Sequence, residues 1–308
     1  MRPYFWFAFC LLIFTIACER PVDLNIETPS QKLVVISNFS PTQPLQVEVS
    51  QARSVLSTEA PNYIKNAAVD VYENTEFVER LQLINTDPES PPYYAAKYFV
   101  PKEKTLYTIR VEAPDFEPIS AESSIPQRIN IERLAISEVN AFLEKDNHLI
   151  YNFKVAINFK DPKEEENYYH LNFYQQVLKY EVIQNDTLIT GSYFRRVEFS
   201  PETDNNSFIA YFDGGTLFED KPFNGKFITY SFQSRSYIYT DQELLGDMFV
   251  ELRTTSKEYY LFHNSLSRQQ TSPSGPFTEP VIIFNNIQNG SGIFAGYNFA
   301  ISSAPVSR

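Results

Sequence analysis

Thr105-Leu106-Tyr107-Thr108-Ile109-Arg110-Val111-Glu112 sets Tyr107, Ile109 and Val111 between Thr108, Arg110 and Glu112. A period of two is that of a strand with one buried face, because successive side chains point to opposite sides of a sheet. The same alternation recurs towards the N-terminus. Leu45-Gln46-Val47-Glu48-Val49, Ala67-Ala68-Val69-Asp70-Val71-Tyr72 and Phe77-Val78-Glu79-Arg80-Leu81-Gln82-Leu83 carry it, and Leu33-Val34-Val35-Ile36 adds a short apolar run. Closely spaced strands of this kind predict a β-sandwich, Ig-like or transthyretin-like, over residues 31–126. No glycine precedes Gly191. Turns in this segment therefore fall to Pro41, Asn74, Pro91-Pro92 and Pro114-Asp115, since Asn and Asp tolerate left-handed backbone.

Ile125-Pro126-Gln127 marks a boundary, and a new strand is expected from Ile129 to Ile136. Residues 127–308 then read as a second, antiparallel β-rich domain. Tyr151 to Phe159 alternates throughout. Tyr169 to Tyr180 and Phe227 to Phe232 are aromatic strands, and Asn185-Asp186 marks a hairpin turn. One segment departs from period two. Thr255-Ser256-Lys257-Glu258 has the form of a capping box, with Thr255 as cap. Tyr259, Phe262 and Leu266 follow at helical spacing, which predicts one helix over about residues 256 to 270. Strands resume at Val281 to Phe284 and Gly292 to Ile301. The fold class is all-β with a single helix.

The N-terminus carries a different signal. Arg2 opens a run without charge from Tyr4 to Ala17, closed by Cys18, Glu19 and Arg20. This pattern describes a secretory signal over residues 1–17, too short for a transmembrane helix of about 20 residues. Thr15-Ile16-Ala17-Cys18 resembles a lipobox, which makes Cys18 the expected lipidation site. Cys10, the only other cysteine, leaves with the signal, so lipidation accounts for an otherwise odd thiol in an exported protein. Residues 18–30, with Pro21 and Pro29, read as a lipidated tether. A formal net charge of −12 argues against nucleic acid, whose phosphates need a basic footprint. It argues equally against attachment by charge to anionic lipid.

Chemistry is sparse. His148, His170 and His263 have no zinc-binding spacing and read as exposed residues. No serine sits in a hydrolase elbow. Asp161, Glu164, Glu165 and Glu166 form one acidic segment, and Asp213, Glu219 and Asp220 a second. Neither matches a calcium loop, and solvated loops are expected. No catalytic, cofactor-binding or metal residue is predicted. Aromatics are abundant, with 20 Tyr and 26 Phe. In a strand, one member of each pair Tyr93-Tyr94, Tyr168-Tyr169 and Tyr259-Tyr260 would face outward, where a stiff amphipathic ring suits recognition. Core and cross-strand packing is the alternative.

Several stretches together resemble the family called domain of unknown function 4249, lipoproteins of Bacteroidota. They are Cys18-Glu19-Arg20-Pro21-Val22-Asp23-Leu24, Lys32 to Val35, Asn66 to Tyr72, Tyr107 to Val111, Asp161-Pro162, Glu166-Asn167-Tyr168-Tyr169 and Phe284 to Phe294. Asp115 stands where that family is expected to have a glycine. The resemblance implies an outer-membrane lipoprotein, often encoded beside a TonB-dependent transporter, and it supplies no catalytic or binding residues. The expected function is thus non-enzymatic: an accessory protein capturing ligand or docking on such a transporter. A structural or adhesive envelope lipoprotein and a carboxylate-dependent hydrolase are the alternatives. The glycines, the helix and the acidic segments all lie in the second domain. Its segments Asp213 to Asn224 and Ser272 to Phe277 are the expected recognition loops.

Overall fold

The computed structural model describes residues 32–53, 59–87, 89–144, 147–163, 165–201, 210–212, 215–272 and 281–306. Cys18 and the segments expected to be signal and tether lie outside them.

Eight short strands come first: β1 (Leu33–Phe39), β2 (Gln46–Gln51), β3 (Ala68–Glu73), β4 (Glu76–Arg80), β5 (Gln82–Ile84), β6 (Tyr93–Ala95), β7 (Leu106–Glu112) and β8 (Ile119–Ser124). They form two sheet layers, β1-β2-β6-β5 and β4-β3-β7-β8. The alternation that defines β7 lands as read, with Tyr107, Ile109 and Val111 buried against Val35, Val47 and Val71. Each such side chain contributes roughly 1.5–3 kcal/mol on burial. Turn chemistry follows the sequence as well, since Asn74 and Asp115 both hold positive φ (56° and 66°). Asp115 thus takes up the backbone that a glycine would supply. The run 77–83 is not one strand. Leu81 breaks it, turning into the core while its N–H donates to the Val69 carbonyl.

Longer strands build the second sandwich: β9 (Ile131–Leu143), β10 (His148–Lys160), β11 (Tyr168–Ile183), β12 (Asp186–Arg196), β13 (Glu198–Pro201), β14 (Ala210–Phe212), β15 (Gly215–Glu219), β16 (Phe227–Tyr239) and β17 (Glu243–Thr255). One layer is β13-β16-β10-β9. The other contains β14-β15-β11-β17, with β12 on the edge of β11. Phe153, Val155 and Ile157 of β10 meet Leu171 and Phe173 of β11 and Val250 and Leu252 of β17 in the core. The β11–β12 hairpin turns on Gln184 and Asn185, both at positive φ (53° and 71°). That is one residue earlier than the sequence suggests, and two such residues give the turn whose twist matches a hairpin.

The helix α1 (Lys257–Thr271) closes over the outer side of this sheet. Its cap is Ser256, whose Oγ accepts from the Tyr259 amide, and not Thr255, which is the last residue of β17. The buried stripe shifts accordingly to Tyr259, Tyr260, His263 and Ser267, leaving Phe262 and Leu266 half-buried. Val281 to Phe284 is not a strand. Instead the Phe284 N–H donates to Ser265 Oγ on the helix (2.9 Å).

The last strand, β18 (Ser291–Pro305), joins the two sandwiches. The sequence reading assigns it wholly to residues 127–308. Its first half pairs in parallel with β1, from Val34↔Ser291 to Phe39↔Gly296. Its second half pairs antiparallel with β17, from Thr255↔Tyr297 to Asp247↔Pro305. One ten-stranded sheet therefore runs through both units. Phe294 stacks on Phe39 in the first core (4.5 Å between centroids), while Ile293 and Ala295 face the helix.

Candidate functional site

At residues 230–239 of β16 the side chains alternate between core and surface. Phe232, Ser234, Ser236 and Ile238 are buried, and Arg235, Tyr237 and Tyr239 lie on the other face. Pairing with β10 sets Ile150 beside Tyr237 and His148 beside Tyr239. Ring centroids of His148 and Tyr239 are 4.4 Å apart, and those of His148 and Tyr237 5.6 Å. The result is a small aromatic platform.

Arg195 reaches this platform from β12. Its guanidinium lies 3.9 Å from the Tyr237 ring centroid and donates to the Tyr237 carbonyl. Behind it, Tyr193 donates to Glu243 Oε1 (2.6 Å), Arg195 donates to the Tyr193 hydroxyl, and the Arg195–Glu243 ion pair is 3.5 Å long. Burial pushes the Tyr193 phenol above its usual range, with the bond to Glu243 adding to the effect and the Arg195 charge opposing it. Arg195 and Glu243 are mostly buried (18% and 8% exposed side chains), so this pair is held in place rather than free in solvent. The contact between Arg235 and Glu144, 3.9 Å apart and half exposed, is looser and contributes little to stability.

A cleft of about 380 Å³ opens between these groups. Arg195, Arg196, Arg235 and Glu144 line it together with His148, Ile150, Ser236 and Tyr237. Three hairpin ends are tied together around it. Tyr180 of β11 donates to the Thr240 carbonyl (2.7 Å), and Thr240 N–H donates to the Asn147 carbonyl (3.0 Å). The β9–β10, β11–β12 and β16–β17 turns thus form one end of the molecule. That end also exposes Phe142, Leu143, Val182, Ile183, Leu188 and Ile189.

Sequence reading placed no ligand here. The adjacent Arg195-Arg196 in a strongly acidic chain was the available signal, but Arg235 and Glu144 join it only through strand pairing. The described residues of the segments expected to carry recognition do not line this cleft. Gly215–Glu219 is a strand whose residues 215–218 are buried, and Asp220 is buried too. Asp213 and residues 273–277 fall outside the described residues, and Ser272 is the helix C-cap.

The sequence profile of a family described as Domain of unknown function (DUF4249) matches residues 19–302. The chain belongs to this family. No curated protein matches the sequence.

Positions that carry the DUF4249 resemblance act within the scaffold. Asp161 is buried, with Oδ1 accepting from the Tyr169 hydroxyl and Oδ2 from Gly225 N–H (2.7 Å). Burial pushes the Asp161 carboxyl above the usual range, against the lowering effect of these two bonds. Asp220 is buried beside it and accepts from Asn167 N–H (2.9 Å). These two carboxylates are internal braces, not solvated loop residues. Asn286 faces the Phe294 backbone, accepting from its N–H (3.1 Å) and donating to its carbonyl (2.8 Å). It thereby fixes β18 at the junction.

The histidines are not all exposed, as the sequence had suggested. His170 and His263 are both buried and converge on Tyr259. His170 Nδ1 is 2.9 Å from the Tyr259 hydroxyl, which also accepts from Arg253 (3.1 Å), and the His263 ring lies 4.2 Å from the Tyr259 ring. Among the described residues no group of three or more His, Cys, Asp or Glu is placed to hold a metal ion. Of the paired tyrosines, Tyr94, Tyr168, Tyr169, Tyr259 and Tyr260 are buried and Tyr93 is half-buried. Tyr259 and Tyr260 lie on the helix, where neighbouring residues do not alternate between two faces, and β11 is covered on both sides at Tyr168-Tyr169.

Proposed function

We propose that this chain is a non-enzymatic lipoprotein of the outer membrane, anchored through Cys18. In this reading it presents the far end of its second sandwich to a partner or ligand. The partner implied by the family resemblance is a TonB-dependent transporter, and nutrient uptake is the process served. The observation that supports the reading is the course of β18. Its start pairs with the start of β1, the first strand of the described residues. Its end pairs with Asp247, near Glu243 and the arginine cleft. Fifteen residues of strand span roughly 45 Å at 3.3 Å per residue. The start of β1 and the cleft therefore lie towards opposite ends of β18, within one continuous sheet.

The test has two arms. Cys18→Ser should release the protein from the membrane fraction, and mass spectrometry of the mature wild type should show an acylated cysteine. A photo-crosslinker at Leu188, on the exposed β12 end, should capture an outer-membrane barrel after mild detergent extraction. One at Phe77, exposed on the first sandwich, should not. Capture from Phe77 alone would reverse the assignment of the working end.

A further inference from the structure

We infer that the outer face of the second sandwich carries a binding site for a short neutral oligosaccharide, seated on an apolar strip of Phe194, Tyr174, Phe249 and Ile301. This deepens the reading of the second sandwich as the binding unit and rests on it.

The case starts from strand geometry. Met248, Val250 and Leu252 of β17 and Leu171 and Phe173 of β11 point into the core, so Phe249, Glu251 and Tyr174 point outward. Tyr174 is the register partner of Phe249, and Glu251 that of Ile301. The Phe194 ring, from β12, meets the Phe249 ring edge-on (5.1 Å between centroids). The apolar side chains thus run across β12, β11, β17 and β18, which are neighbours in one sheet. With Glu251 they line a groove of about 250 Å³. The helix covers the outer face over Tyr168, Leu217, Ile293 and Ala295. At the groove, by contrast, Phe194 and Ile301 are each 55% exposed. A solvated face of an antiparallel sheet normally carries polar side chains, and a contiguous exception on such a face marks a binding surface.

Polar groups border the strip on both sides. Along the outer face of β17, Phe249 stands between Asp247 and Glu251, and along β11 Tyr174 stands between Asn172 and Gln176. At the β12 end, Arg196 lies beside Tyr174. Asp247 Oδ2 accepts from the Ser303 hydroxyl (3.2 Å), and Glu251 Oε1 accepts from Arg253. Both carboxylates are therefore held in place before a ligand arrives, which lowers the cost of ordering them. A sugar ring has an apolar C–H face and hydroxyl groups around its edge. Its face suits the rings of Phe249, Tyr174 and Phe194, while its hydroxyls reach the bordering carboxylates and the Gln176 amide. The strip itself is uncharged, and the ligand that stacks on it is neutral.

Size selects among occupants. Three steps of about 4.8 Å between four strands make the strip about 14 Å long, enough for a short chain of sugar rings. Five lining side chains fall far short of the roughly 800 Å² per partner that a stable protein interface buries, which argues against a second copy or another protein. A fatty acyl chain calls for a pocket that encloses most of its surface, whereas this groove lies open along a sheet face.

Titration calorimetry on the full exported chain tests this. The probes are maltotriose, cellotriose and xylotriose, with decanoate as the acyl control. At least one trisaccharide should bind and decanoate should not. Phe249→Ala should weaken that binding about 10-fold, and Phe249→Tyr, which keeps the ring, should recover most of it. Phe194→Ala removes a side chain that is mostly in solvent and should weaken binding with the thermal midpoint unchanged. Phe77→Ala, on the first sandwich, is the control and should leave binding as it is. Absence of binding by all three trisaccharides, or binding unchanged in both Phe249→Ala and Phe194→Ala, overturns the inference. So does binding of decanoate alone, or a dimer in sedimentation that Phe194→Ala dissociates. Crosslinking from Leu188 with no trisaccharide binding would leave the proposed function standing and remove this inference. Trisaccharide binding without any captured barrel would do the reverse.

Discussion

Gly292 sits so close to Val35 that a Cβ on it would lie 1.9 Å from the Val35 carbonyl oxygen. The two residues are register partners in the parallel ladder between β1 and β18. Gly292 also holds φ at +116°, a conformation that side chains with a Cβ rarely adopt. Both facts apply at the point where the first and second sandwiches are joined. Gly292→Ala should therefore cost on the order of 3 kcal/mol, read as a lowered denaturant midpoint. An unchanged midpoint would mean that the joint does not hold as described.

The same joint decides what fragments can do. Residues 19–126 contain β1 to β8 but lack Ile287 and Phe294, both of which are buried in the first core. β1 would also lose its β18 neighbour and become an exposed edge. This fragment should be aggregation-prone and lack a cooperative thermal transition. Calorimetry and size-exclusion chromatography check it, and a sharp transition in the isolated fragment would contradict the shared core.

Asp161 braces two loops by accepting from Tyr169 and Gly225. Asp161→Ala leaves a buried hydroxyl and a buried N–H without their acceptor, a loss of about 1–3 kcal/mol for each. Asp161→Asn keeps one acceptor but turns a second donor towards Gly225, so it should recover only part of the loss. Urea unfolding of the two variants beside wild type measures the order, which should be wild type, Asn, then Ala.

Burial pushes the Tyr259 phenol up to about 12, with the Arg253 charge and hydrogen bond opposing the rise. Below pH 10 the phenol is neutral both folded and unfolded, and its contribution to stability is fully present. As pH rises from 10 through about 12, only the unfolded chain releases the proton. Unfolding free energy should therefore fall with pH across this window, by on the order of 2 kcal/mol from this residue. Tyr259→Phe should be less stable at neutral pH, because the contacts with His170 and Arg253 are lost, and should show a shallower fall above pH 10. Denaturant midpoints at pH 8, 10 and 11 compare the two slopes.

Ser256→Ala should lower stability by about 1 kcal/mol, the usual worth of a helix cap. Thr255→Ala should lower it less. Thr255 makes only a long contact to the Tyr168 carbonyl (3.4 Å), whereas Ser256 accepts from the first turn of the helix. Thermal melts of the two variants decide between the positions.

Local pattern was enough for several features. The alternation around Tyr107, Ile109 and Val111 determined strand and buried face together, because period two is a property of the strand itself. Asn74 and Asp115 marked turns because few other residues accept positive φ. The helix after β17 was legible from its capping residues and spacing, though its cap was displaced by one. Two hydroxyl residues, Thr255 and Ser256, stand side by side, and only the end of β17 selects between them. The arginine cleft and the buried Asp161–Tyr169 and His170–Tyr259 contacts were not legible. So too the parallel meeting of β1 with β18, which brings together residues more than 250 positions apart. Period two says which way a side chain points and is silent about which strand lies next to it. That choice was made by long-range fit: a glycine where Val35 approaches, Phe294 filling the space beside Phe39, and Arg195 lying over Tyr237.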